Sequence, residues 1–351
     1  MKVACLHPYL ESRREDVEKG LYPRHHLWGI DAIEKKKGWK VNTLSSSDLS
    51  IPTVLEKLLN RFLFRNSPGA KAEIQAWKAS KTHDLIYSVC GPLSLARHYK
   101  CTKLVSWVFR KQESTNGSRN HPYSSENLDS HSGFFCLTPN AQKDFEPHAK
   151  AIFLPWCVDQ DMFDGGRPVQ KVCSDFFLAT GKTGRDYQTL VQGASSVNEE
   201  LRIIGPKEER PNSLPPNIKW IDSSFDPPDK AIDYPTLREW YAQCLAVCIP
   251  LTGDAQDTCG YTNMLESMAM AKPVLMTSSG CLHLNPGKQR FGFSIEQGNH
   301  TDWACTMTKI ANNPELAESL GQKGQKIAKN ELSVPEFEQN VVNYIDEILK
   351  C

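Results

Sequence analysis

The chain of 351 residues has no excess of either charge: 41 Lys and Arg face 41 Asp and Glu. A balanced chain sets up no global field, so nothing draws nucleic acid or an anionic membrane to its whole surface. Any anion must be held by a local site. A long apolar run is also missing. No stretch approaches the ~20 residues that span a bilayer, and the opening residues Met1 to Pro8 are too short in their apolar part for a signal peptide. Twelve cysteines occur without a Cys-x-x-Cys pair or a Cys/His cluster at zinc spacing. Cys5, Cys90, Cys136 and Cys248 lie in apolar runs, where a thiol acts as a small buried hydrophobe. Reduced core cysteines in a cytoplasmic protein are therefore expected.

What is present is enough for a sizeable core: 40% of residues are hydrophobic and 23% charged, and the length suits two domains. Short β-branched or apolar runs alternate with helical patterns, the signature of a parallel α/β sheet. Strands are predicted at 3–6, 39–44, 84–89, 103–108, 134–137 and 151–154, with helices at 27–37, 53–64 and 70–79. Residues 111–132 are polar, with little to bury, and read either as a flexible loop or as an acceptor-side lid. A linker around 155–168 leads to a second series starting at Asp175, with strands at 176–180, 201–204, 218–221, 246–250 and 273–277 and late helices at 302–312, 314–329 and 335–350. No internal repeat appears. Two Rossmann-like, doubly wound halves with a ligand cleft between them are expected.

Two segments could carry chemistry. In the first, Gly260-Tyr261-Thr262-Asn263 opens a helix that continues Met264-Leu265-Glu266-Ser267-Met268-Ala269-Met270 and ends before the strand led by Lys272-Pro273-Val274. A helix start offers unpaired N–H groups and partial positive charge, which suit a diphosphate. Glu266 among methionines is costly unless it accepts hydrogen bonds, for which two ribose hydroxyls are suitable; the plainer alternative is a Glu on a solvated face. In the second segment, the run 176–180 enters Gly181-Lys182-Thr183-Gly184-Arg185. A Walker A loop needs a glycine at 176, where Phe176 stands, so a P-loop is excluded. Lys182 and Arg185 remain as two cations at a helix start.

The helix at 260–274 resembles the donor-binding helix of the family-4 glycosyltransferases (glycosyl transferases group 1), which have the GT-B fold and a Glu-x7-Glu motif followed by Ala-Met-Ala and a Lys-Pro-Val strand. The motif's second Glu falls on Glu266 and its first on Thr258, with Asp254 and Asp257 nearby; this departure bears on the donor sugar and on activity. Gly181, Lys182 and Arg185 resemble the family's diphosphate loop, and Gly205 resembles the glycine ending its next strand. The resemblance implies donor binding by Gly181, Lys182, Arg185, Gly205, Gly260, Tyr261, Thr262, Asn263 and Glu266, with Lys182, Arg185 and Glu266 in the catalytic role. Leu27-Trp28-Gly29 lies where the family has a Gly-Gly loop, which makes His25, Trp28 and Gly29 acceptor-side candidates. A family histidine after the fourth strand has no counterpart before His121.

The expected architecture is an acceptor-binding domain over 1–165, a nucleotide-sugar-binding domain over 166–333, and a helix at 334–351 crossing back to the first. The resemblance implies retaining sugar transfer, with no metal and no cofactor, from a nucleotide-sugar substrate to a glycan, lipid or small-molecule hydroxyl. No nucleic acid is expected, and peripheral membrane contact is left to a local patch. An inactive nucleotide-sugar-binding scaffold and a sugar-nucleotide epimerase of similar shape stay open.

Overall fold

A computed structural model describes the chain apart from residues 8–9, 37, 45–48, 100–101, 111–120, 165–175, 225–230, 255–257, 279 and 351. It divides into two compact units: Met1–Glu18, His25–Pro155 and Pro335–Cys351 form the first, Lys19–Arg24 and Trp156–Val334 the second. The expected lid residues 111–120, the 155–168 linker beyond Asp164, Asp175 and Asp257 lie outside the described residues.

The first unit carries strands β1 (Lys2–Leu6), β2 (Lys40–Leu44), β3 (Leu85–Ser88), β4 (Lys103–Val108), β5 (Gly133–Cys136) and β6 (Lys150–Phe153). Its helices are α1 (Leu10–Glu18), α2 (Ile30–Lys35), α3 (Thr53–Phe62), α4 (Ala70–Ala79), α5 (Ser125–Leu128) and α6 (Pro139–Phe145). The six strands form one parallel sheet in the order β2-β1-β3-β4-β5-β6. The alternation of strand and helix dictates this, because a parallel neighbour needs a crossover long enough for a helix. Ala4, Leu6, Ile86 and Leu104 of the sheet meet Ala76 and Ala79 of α4 in one core cluster.

The second unit repeats the plan with β7 (Phe176–Thr180), β8 (Glu200–Gly205), β9 (Ile218–Asp222), β10 (Val247–Ile249), β11 (Val274–Thr277) and β12 (Gly292–Ile295). Its helices are α7 (Tyr187–Ala194), α8 (Tyr234–Gln243), α9 (Tyr261–Ala269), α10 (Pro286–Gln289), α11 (His300–Ala311) and α12 (Pro314–Glu331). The order β12-β11-β10-β7-β8-β9 is parallel throughout. Phe177, Ala179, Ile203 and Leu275 pack with Leu190 of α7 and Trp303 and Met307 of α11.

The last helix, α13 (Val334–Lys350), packs on the first unit's sheet. Phe337 stacks on Trp107 with ring centroids 5.6 Å apart, and the Tyr344 hydroxyl donates to the Lys150 carbonyl at 2.5 Å. Phe337, Val341, Ile345 and Ile348 are buried, at roughly 2 kcal/mol for each such side chain. Lys36 adds an ion pair to Asp346 at 2.5 Å.

Three expectations are corrected. The helix predicted at 27–37 begins only at Ile30, because Trp28 and Gly29 both take left-handed φ values (54° and 77°) after a short 3-10 turn. Residues 121–132 are far from empty of buried groups. Asn127 and Leu128 are buried in α5, and the buried His121 lies within hydrogen-bond distance of Asn66, at 3.1 Å. Helices α1, α5, α6 and α10 and strand β12 add to the predicted elements.

Candidate functional site

Ligands of open parallel sheets bind beyond the carboxyl ends of the strands where the strand order reverses. In the second unit that point lies between β7 and β10. The chain leaves β7 through the turn 181–185, and it leaves β10 toward Gly260 and α9. The two segments singled out in the sequence thus converge on the same edge of the same sheet.

Arg185 builds the turn. Its guanidinium is buried and donates to the Thr180 carbonyl from Nε and Nη2 (both 3.3 Å) and to the Thr183 carbonyl from Nη1 (2.8 Å). A Cβ on Gly181 would come within 2.2 Å of that guanidinium, and Gly181 has φ +140°, so only glycine fits. The Tyr187 hydroxyl donates to the Gly181 carbonyl at 2.7 Å. The Thr252 amide donates to the Gly184 carbonyl at 3.0 Å, pinning the turn to the segment after β10. Lys182 stands half-buried in the turn.

Gly260 caps α9 with φ +82°, and a Cβ there would meet Ile249 Cγ2 at 2.5 Å; again a side chain is excluded. The first helical bond of α9 runs from the Met264 amide to the Gly260 carbonyl at 2.9 Å. The amides of Thr262 and Asn263 precede it and have no carbonyl within the helix to reach. Tyr261 is buried, its hydroxyl 3.3 Å from His283 Nδ1, and its amide donates to the Thr258 carbonyl at 3.4 Å.

The two segments are joined by a line of side chains. Arg185 Nη2 donates to Asn263 Oδ1 at 2.8 Å, Asn263 Nδ2 donates to the Tyr241 hydroxyl at 3.4 Å, and that hydroxyl donates to Glu266 Oε2 at 2.8 Å. Glu266 is 1% exposed. Burial pushes its carboxyl up to about 8, opposed by the Tyr241 hydrogen bond. Sequence pattern does not point to Tyr241. A tyrosine at the end of α8 looks like core there, and its partner is set by how α8 lies against α9.

Gly205, at the end of β8, has Trp220 and Tyr187 where a Cβ would be (2.8 and 2.9 Å), so its role in this structure is to let two aromatic rings close. The chain also holds an Asp-x-Asp triplet, Asp159-Gln160-Asp161. Asp159 accepts from the amides of Arg24, Asp161 and Met162 at 2.8, 3.1 and 3.1 Å, the behaviour of a turn-capping carboxylate.

In the first unit, Trp28 is buried with its ring 4.8 Å from Trp107 and 5.6 Å from Phe109, and its carbonyl accepts from the Tyr87 hydroxyl at 2.6 Å. Gly29 faces Val341 of α13, 3.3 Å from where a Cβ would stand. These two residues carry packing. His25 is buried, and burial lowers its imidazole to about 3, so the ring is neutral near pH 7. Among the described residues, Cys5, Cys90, Cys136 and Cys248 form no disulfide.

No family model matches the sequence, and no curated protein matches it. Solved structures do match in fold. A sucrose-phosphate synthase from Thermosynechococcus elongatus is 13% identical with a TM-score of 0.69, over 100% of this chain and 99% of that one. A glycosyltransferase from Rickettsia africae is 14% identical with a TM-score of 0.68, over 99% and 98%. Anabaena HepE, solved with UDP and glucose, is 14% identical with a TM-score of 0.66, over 99% and 100%. The chain has the GT-B architecture of these glycosyltransferases, two Rossmann-like α/β domains. No helix among the described residues is long and apolar enough to cross a membrane.

Proposed function

We propose that the protein is a glycosyltransferase that moves a sugar from a nucleotide-sugar donor to an acceptor hydroxyl. The carrying observation is the hydrogen-bonded line Arg185–Asn263–Tyr241–Glu266 at the strand-order reversal of the second unit. It sets a cation and open helix amides near a buried carboxyl, the groups that a diphosphate and a ribose require.

In this reading the second unit holds the donor and residues 1–165, with the helix at 334–351, serve the acceptor. Lys182, Arg185 and the Thr262 and Asn263 amides neutralise the diphosphate as it leaves, each charge-assisted contact adding ~1.5–3 kcal/mol. Glu266 accepts the ribose hydroxyls. The bond from the anomeric carbon to the diphosphate oxygen breaks, and the acceptor oxygen bonds to the same face of that carbon. The acceptor's proton passes to the departing phosphate oxygen. Retention and independence of metal belong to this proposal, as does a hexose donor. HepE has also been solved with UDP-glucose, which makes it the first donor to try.

Thr258, standing where the resembled motif has its first Glu, favours one second reading: a scaffold that binds the donor without turning it over. A thermal-shift panel of UDP-, GDP- and ADP-sugars decides between them when followed by an assay of nucleoside diphosphate release. A donor at 100 times its Kd adds ~2.7 kcal/mol to stability. Binding with release, both lost in Glu266→Ala, supports the transferase. Binding without release in an acceptor screen supports the scaffold, and conversion of the donor to its epimer would replace both. No shift with any nucleotide-sugar overturns the donor site itself.

A further inference from the structure

Helix α3 buries none of its residues, whereas α4, of the same length, buries five. Val54 and Phe62 are 73% and 72% exposed, and Leu55 and Leu58 are half-exposed. Val54, Leu58 and Phe62 succeed one another at four-residue steps and so form one line along the helix, with Leu55 beside it. Lys57 and Arg61, also four apart and exposed, run along its flank, and Arg65 lies just past the helix end. The Arg61 guanidinium sits 5.5 Å from the Phe62 ring centroid. Glu56 is the one acid between residues 53 and 65, and it is paired with Lys71 of α4 at 3.2 Å. Asn60 Oδ1 accepts from the Ala70 amide at 2.7 Å. The polar side, Glu56 and Asn60, therefore fastens α3 to α4, and the apolar line is turned away from that contact.

We propose that this face of α3 docks on the surface of an anionic lipid bilayer. An apolar line flanked by unopposed cations is the pattern of a helix that lies in the headgroup region, its apolar side toward the acyl chains and its cations toward phosphates. The same charges argue against a second copy of the face as occupant, because a self-pairing would bring Lys57 and Arg61 against their own images. The chain's zero net charge is no obstacle, since the attraction acts within a Debye length of the patch.

Co-sedimentation with vesicles tests this without any sugar nucleotide, so its outcome is independent of the donor proposal. Binding to vesicles of phosphatidylcholine mixed with phosphatidylglycerol is expected to exceed binding to phosphatidylcholine alone about tenfold at low salt, and to fall as salt is raised to about 0.5 M. Leu58→Ser combined with Phe62→Ser is expected to weaken binding by about tenfold or more, since two apolar side chains lose their burial. Lys57→Glu with Arg61→Glu is expected to remove the preference for the anionic lipid. All these positions are exposed, so circular dichroism and thermal midpoint should match the parent, and donor hydrolysis in solution should be unchanged. Failure to bind either vesicle, equal binding by the Leu58→Ser/Phe62→Ser variant, or a dimer that Phe62→Ser disperses would overturn the proposal.

Discussion

Glu73 and Glu266 occupy matching surroundings in the two units and are used differently. Glu73, on α4, is fully buried near the segment after β3, beside the reversal of strand order between β1 and β3. Its two oxygens accept the backbone amides of Ser94 (2.7 Å) and Leu95 (3.1 Å). Glu266, on α9 beside the reversal between β7 and β10, accepts a side-chain hydroxyl that is itself linked to Asn263 and Arg185. Burial raises both carboxyls, Glu73 to about 7 against the pull of its two amides and Glu266 to about 8. A perturbed, buried carboxylate therefore does not by itself mark a site. What it accepts from separates a group that braces a loop from one embedded in a polar side-chain network.

The largest effect expected from this contrast is structural. Glu73→Ala strands two buried amides and should cost about 2–5 kcal/mol, read as loss of urea stability and fast hydrogen exchange at Ser94 and Leu95. Glu266→Gln should change stability by no more than about 1 kcal/mol. If both variants lost equal stability, the distinction between the two carboxylates would be gone.

Next in size is donor binding. Glu266→Ala should weaken the donor by about 10- to 150-fold, the equivalent of a charge-assisted hydrogen bond, while Glu73→Gln leaves it unchanged in a titration of folded protein. Tyr241→Phe removes only the hydroxyl that orients Glu266 and should cost about 1 kcal/mol of donor affinity. A Tyr241→Phe loss as large as that of Glu266→Ala would make Tyr241 itself the contact.

The smallest effect is the pH slope. Both carboxyls are protonated in the fold at pH values where the unfolded chain has ionised them, so stability falls as pH rises. The fall starts near 4.5 and ends near 7 for Glu73 and near 8 for Glu266. Between pH 7 and 8 the remaining slope belongs mainly to Glu266 and should flatten in Glu266→Gln, measured by urea midpoints across that range. Ribose hydroxyls donating to Glu266 favour its ionised form, so donor affinity should rise from pH 6 to 8 in the parent and stay level in Glu266→Gln.

Much of the fold is legible in the sequence because strands and helices carry their periodicity locally. The predicted bounds of α4, β4 and β7 match those observed, since each is a run of one period between clear breaks. Helix α2 starts later than its pattern suggests because a left-handed Trp28 has no sequence signature. By sequence, Arg185 is a cation at a helix start available to a ligand, whereas its guanidinium is also the fastener of its own turn. That difference comes from Gly181, whose missing side chain leaves the guanidinium room to fold back.

The sequence alone determined the order of elements, the two α/β units and the two candidate segments, the turn at 181–185 with its two cations and the glycine-led helix that carries Glu266, because these depend on neighbours within a few turns of chain. Tertiary structure alone decided that the two segments meet and that Tyr241 stands between Asn263 and Glu266. It also decided that Trp28 goes to the core and that α3 keeps its apolar side outward. The contacts along the Arg185–Glu266 line depend on strand order and helix register, which bring together residues 22 to 78 positions apart and leave no trace in local pattern.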